Sequence, residues 1–212
     1  GASGASMSGK GGGGNFSGMA GTSGKSGGAG SSGSSQSVPP FLTIEIVSAL
    51  VGPSKIDGTQ WDGTGEVPSD LVLGLAAALG AGVFAPVFSF MVTEAAQVAG
   101  KPDPFGYTEI NAVGEWDFRQ DLATIDTNTE DTFAPNWPMP VGWSNVPYSE
   151  NIRIRLVLKD EDLVNDDDMG VAEINAADVA AAWAAKKIYQ VRVAEQTANQ
   201  ILYVGISVTK SN

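Results

Sequence analysis

The chain has 212 residues, a net charge of −12, and neither cysteine nor histidine. Those two absences exclude disulfides, thiol nucleophiles, imidazole acid–base chemistry and most zinc or iron sites. The acidic balance disfavours nucleic acid, whose phosphates are held by Lys and Arg. It also disfavours direct attachment to anionic lipid, unless bound cations reverse the local sign.

Residues 1–40 are dominated by Gly and Ser, with Met7, Phe16, Met19 and Val38 as the sizeable apolar side chains. Such a segment buries too little surface to offset its ordering entropy, which predicts a flexible tail or linker. Its charges are Lys10 and Lys25, so the remainder of the chain carries −14. A Gly/Ser/Ala-rich start resembles the tether that follows the lipidated residue of bacterial surface lipoproteins. An exported, extracellular or cell-surface protein, lipid-anchored through this tether, is therefore expected, with an expression scar as the alternative. Glycine backbone also approaches another chain where no side chain fits. The same arm is thus a candidate for contacts in a homo-oligomer or larger filament-like assembly.

Pro39-Pro40 marks the switch to a folded body over residues 41–212. Phe41-Leu42-Thr43-Ile44-Glu45-Ile46-Val47 alternates with period two and predicts a half-buried strand, broken at Val51-Gly52-Pro53. Asp57-Gly58-Thr59-Gln60-Trp61-Asp62-Gly63 is turn chemistry with two carboxylates. Leu71 to Thr93 then runs for 23 residues without a charge. That length can span a bilayer, but Gly74, Gly80, Gly82 and Pro86 interrupt it. The spacing predicts two short helices within about residues 68–100, one starting at Pro68-Ser69-Asp70 and one near Pro86. A hairpin packed on the domain is the plain expectation. A membrane-dipping insertion, with Leu71, Leu75, Phe84, Phe88 and Phe90 touching lipid or a partner, is the sharper one.

Pro102 to Ile110 runs from a turn into a strand, and Trp116 to Ile125 forms a weaker one. Thr129 to Trp137 leads into a Pro-rich loop. Ile152-Arg153-Ile154-Arg155-Leu156-Val157-Leu158 alternates again, and an acidic run follows from Asp160 to Gly170. Six carboxylates fall within nine residues there. They either stay solvated as an acidic rim or collect a hard cation. Calcium takes six to eight oxygen ligands, and a strand-to-strand loop of this kind supplies several. Val171-Ala172-Glu173-Ile174 continues the sheet, and Asn175 caps a helix from about Ala176 to Lys187 with Asp178 in its first turn. Tyr189 to Val193 and Leu202 to Val208 are closing strands. Many short strands with Gly/Pro turns predict a mainly β protein, an antiparallel β-sandwich.

In this order the pieces resemble a C2 domain, across residues 41–209. The first calcium loop's Asp is matched by Asp57 or Asp62 and its closing Asp-Pro-aromatic step by Asp103-Pro104-Phe105. The Thr-x-x-Pro-x-Trp segment that precedes a strand in that family is matched by Thr132-Phe133-Ala134-Pro135-Asn136-Trp137, and the D-x-D by Asp160 and Asp162 with Asp167 or Asp168 before Gly170. The resemblance implies a C2-like sandwich binding calcium and then phospholipid; the chain departs from the family pattern where about 40 residues, including the uncharged helical stretch, interrupt the first calcium loop. It also implies that Asp57, Asp62, Asp103, Asp160, Asp162, Asp167 and Asp168 meet as one oxygen cup. Trp61, Trp116, Trp137 and Trp143 are expected in packing, with sugar stacking as a lesser use.

No nucleophile elbow, phosphate loop or cofactor fingerprint is present. Paired carboxylates alone make glycoside hydrolysis a weak alternative, so a non-enzymatic module is expected. It would bind calcium and engage a phospholipid membrane or cell-surface partner. The competing expectation is a structural subunit of a surface assembly.

Overall fold

A computed structural model describes residues 37–63, 65–97, 100–112, 114–122, 129–162, 166–193 and 200–212. The tail, tether and subunit arm expected of residues 1–40 fall almost wholly outside the described residues.

Strand β1 (Phe41–Val51) opens the body, with Leu42, Ile44 and Ile46 fully buried and their neighbours facing outward. It ends where Gly52-Pro53 removes a backbone donor and turns the chain. The later strands are β2 (Pro104–Asn111), β3 (Asp117–Asp121), β4 (Asn136–Pro147), β5 (Arg153–Asp160), β6 (Asp167–Asn175), β7 (Tyr189–Arg192) and β8 (Ile201–Lys210). They form two four-stranded sheets, ordered β4-β1-β8-β7 and β3-β2-β5-β6. Every pairing between these strands is antiparallel. Ile154, Leu156 and Leu158 of β5, with Ala172 and Ile174 of β6, share one core cluster with β1 and with Val204, Ile206 and Val208 of β8. The expected mainly β, antiparallel sandwich is the architecture observed.

The prolines after Trp137 read as a loop, although the Thr-x-x-Pro-x-Trp resemblance implies a strand following it. Instead of a loop, β4 is a twelve-residue strand carrying Pro138, Pro140 and Pro147. It lies at the edge of its sheet, where a residue without an N–H removes no ladder bond on the outer side. Gly142 serves the pairing as well, since a Cβ there would run into the Ile44 carbonyl.

Helix α1 (Ser69–Gly80) and helix α2 (Phe84–Thr93) fill the predicted insertion, followed by a single 3-10 turn at Ala95–Gln97. Pro86 sits in the first turn of α2 rather than before it, at a position whose N–H has no helical partner anyway. Among the described residues no helix is long and apolar enough to cross a membrane. Helix α3 (Ala176–Ala185) starts as predicted: the Asn175 side chain accepts from the Ala177 and Asp178 backbone N–H groups, and Asp178 accepts in return from the Asn175 N–H. It ends two residues early because Lys186 turns left-handed, at φ 52°.

The register puts several chain turns at one end of the sandwich. In one sheet Val51 pairs with Ile201, in the other Asp160 pairs with both Pro104 and Asp167, and Gln200 joins the two ends, donating to the Met169 carbonyl at 2.8 Å and accepting from the Gly52 N–H at 2.7 Å. The helical insertion, which connects β1 to β2, leaves and returns at that end.

Candidate metal centre

Asp160 is the last residue of β5 and is fully buried. A central strand thus delivers a carboxylate into the domain rather than into a solvated loop. Its Oδ1 accepts a hydrogen bond from the Asp103 N–H at 2.7 Å. Its Oδ2 is buried and has no hydrogen-bond partner among the described residues. Buried polar oxygens are nearly always satisfied, so this atom points to a missing partner. Burial above all, with Asp62 and Asp162 adding like charge, pushes the Asp160 carboxyl up to about 7, against the Asp103 hydrogen bond and Lys55.

Asp62 and Asp162 approach the same point. One carboxylate oxygen from each of Asp62, Asp160 and Asp162 lies within 4.8 Å of the others. Asp62 follows Trp61, which is buried and donates its indole N–H to the Gly52 carbonyl at 2.9 Å. The Asp62 N–H donates to the Gly100 carbonyl at 3.3 Å, tying this loop to the turn before β2. Partial burial, reinforced by Asp103, Asp162 and Asp131, raises the Asp62 carboxyl above its ordinary range. Asp162 is raised too, by burial first and then by Asp167 and Asp166, with Lys55 opposing.

The other expected ligands divide. Asp103 stands beside the trio, its backbone N–H serving Asp160 while its Oδ1 accepts from the Asp131 N–H at 2.6 Å. Asp167 belongs to β6 and pairs with the Lys55 ammonium. Asp168 is exposed and lies 3.7 Å from Lys159. Asp57 is exposed and closes its own turn, accepting from Thr59 N–H at 3.0 Å and Thr59 Oγ1 at 2.6 Å. The Thr59 hydroxyl above all holds the Asp57 carboxyl below its usual range. Of the seven aspartates, three converge closely and two flank them. Asp57 and Asp168 have other partners.

Three contributors had no sequence signal of their own. Lys55 comes within ion-pair contact of Asp167 from a loop 112 positions away. Asp131 adopts a left-handed φ of 50° and meets Asp103 across 28 positions. Gly100, at φ 69°, lies so close to Asp62 that a Cβ would run into its carbonyl.

The residues present suit a hard cation. The donor set is oxygen only, since the chain has no His or Cys, and three carboxylates offer up to six oxygens of the six to eight that calcium takes. The orphaned Asp160 Oδ2 is the atom such an ion would satisfy.

Of the five residues expected at a membrane or partner face, Leu75 is buried against the core, while Leu71, Phe84 and Phe90 are half-buried. Phe84 stacks on Phe88 with centroids 5.3 Å apart and meets the Tyr203 ring edge-on at 5.2 Å. Phe88 is exposed, and so are Val72, Leu73, Val83 and Val92 of the same hairpin, Leu73 most of all at 71%.

No protein-family model and no curated protein matches the chain. Similar solved structures exist at low identity. The C2A domain of plant extended synaptotagmin 1 is 10% identical with a TM-score of 0.42, over 82% of this chain and 96% of that one. Human GIVD cytosolic phospholipase A2 is 12% identical with a TM-score of 0.43, over 81% of this chain and 16% of that one. The C2A and C2B domains of extended synaptotagmin 2 give 14% and 0.42, over 82% and 42%. At such scores the fold class rests on the strands themselves. By their order and register, the chain is a two-sheet antiparallel β-sandwich.

Proposed function

We propose that this is a non-enzymatic, calcium-dependent module, exported to the cell surface or beyond, that engages a phospholipid membrane once its acidic end is neutralised. The observation that carries the reading is the buried, unpartnered Oδ2 of Asp160 beside the carboxylates of Asp62 and Asp162. Without an ion, three carboxyl groups crowd one another at the end of β5, and Asp160 resists ionisation beside Asp62 and Asp162. A divalent cation bound there supplies the missing partner and removes the repulsion. The site loses about a proton on binding, because Asp160 holds one up to about pH 7, and ligands must be deprotonated to coordinate. Such competition keeps affinity modest, which suits extracellular modules whose Kd values run from about 10⁻⁴ to 10⁻³ M. The apolar hairpin at the same end gives the neutralised surface a greasy contact.

Thermal melting with calcium and with a chelator tests the metal. Calcium in tenfold excess over Kd stabilises a folded state by about 1.4 kcal/mol, from RT ln(1 + [L]/Kd). A rise in Tm with calcium, absent with magnesium at equal ionic strength, is the expected result. Identical Tm in calcium and chelator would remove the ion from this site.

A further inference from the structure

We propose that Lys55 is a tethered competitor of the divalent ion, seated beside the Asp62–Asp160–Asp162 trio and displaced when the ion binds. This rests on the calcium reading and adds what limits its affinity. Lys55 is not on a free loop. Its N–H donates to the Thr59 carbonyl at 2.9 Å, and its own carbonyl accepts from Gly58 N–H at 3.0 Å. Asp57 locks that turn through its two bonds from Thr59, so a carboxylate expected to be a ligand instead holds the lysine in place. From this turn the ammonium reaches Asp167 Oδ2, and Asp167 is the β6 residue directly paired with Asp160. The cation therefore stands at the strand end where the orphaned Oδ2 lies.

A partly solvated ion pair stabilises little, and this one keeps contact with water, the Lys55 side chain at 23% exposed and that of Asp167 at 43%. Its place matters more than its strength. While paired, it keeps Asp167 from serving as a flanking oxygen donor and partly offsets the negative charge of all three trio members. Its ammonium lies against Asp167, the residue across the ladder from Asp160, so its charge faces the carboxyl groups gathered at that strand end. A divalent ion arriving there must share the carboxylates with it or push it aside.

The test uses the full chain and calcium itself. Calorimetric titration compares the native protein with Lys55→Gln, and acylation of Lys55 is followed by mass spectrometry against the exposed Lys187 as internal reference. We expect Lys55→Gln to bind calcium about tenfold tighter. That is the order Coulomb's law gives for one unit charge facing a divalent ion at a few ångström in a water-like dielectric. Calcium should also speed acylation of Lys55 relative to Lys187, since the freed amine loses its carboxylate partner. Equal affinities with unchanged labelling would overturn the competitor role and leave the calcium site standing. Absence of calcium binding in both proteins would overturn the site and the competitor together. Binding by the variant alone would support the competitor in its strongest form. Should Lys55→Gln not fold, the labelling on native protein decides.

Discussion

At the scale of single residues, Asp160 concentrates the chemistry because a strand end buries it. Its carboxyl holds a proton up to about 7 in the folded chain and releases it near 3.8 otherwise. The folded state therefore binds more protons between those values, and metal-free stability falls as pH rises through that window. Below it Asp160 is neutral in both states and carries no such cost. Melting in chelator from about pH 4 to about pH 8 should show Asp160 eroding stability upward through this window, and calcium restoring it at the alkaline end. Asp160→Asn separates the two roles. The amide oxygen still accepts from the Asp103 N–H, and its NH₂ group gives the neighbouring carboxylates a donor. We expect the variant to be more stable than native protein in chelator near pH 8, by about 1–3 kcal/mol, the usual cost of a buried unsatisfied group. The calcium-dependent gain in Tm should vanish in the same protein. A variant that melts lower in chelator and still responds to calcium would contradict both roles.

At the scale of elements, the site is a set of clasps between strand ends, and Gly100 is the one most open to test. The Asp62 N–H donates to its carbonyl, and a Cβ there would collide with the Asp62 carbonyl while the backbone holds φ at 69°. Gly100→Ala should push the Asp62 loop outward, costing about 1–3 kcal/mol for a strained left-handed residue and weakening the calcium response more than a remote substitution of equal cost. Equal weakening by Asn175→Ala, which removes the α3 cap on the far side of the β6 strand, would mean that the response only reports global stability.

These clasps also explain how far the sequence could be read. Period-two runs announced β1 and β5, and glycines at 80 and 82 bounded the helices, because local patterning reflects burial directly. The residue pattern hid β4, which only the family resemblance implied, because edge position, which excuses its prolines, is a property of the finished sheet. Asp160 was legible as a ligand type but not as a buried one. Lys55 left no trace, because its partner is set where its loop meets the start of β6, 112 residues on.

At the scale of the whole molecule, the two unusual parts of the chain occupy one end. The uncharged hairpin leaves β1 and rejoins at β2, and the acidic trio closes the ends of β5 and of the β1–β2 connection. Net charge of −12 repels an anionic bilayer, so the apolar tip alone should not hold the protein there at low calcium. With calcium bound, the local sign changes and the exposed Leu73, Val83 and Phe88 can be buried in the interface. Burying apolar surface contributes about 25 cal/mol per Å², so a few such side chains supply most of a weak, reversible attachment. Sedimentation with anionic phospholipid vesicles should therefore show a bound fraction in calcium and none in chelator. Replacing Leu73 and Phe88 by Asp should abolish that fraction while leaving the calcium-dependent rise in Tm intact, since neither residue touches the trio. If the double variant sediments as well as native protein, the hairpin is not the contact, and electrostatic bridging through the ion alone carries the attachment. If no protein sediments in calcium although Tm rises, the ion stiffens the acidic end without recruiting lipid, and the exposed hairpin must serve a protein partner instead.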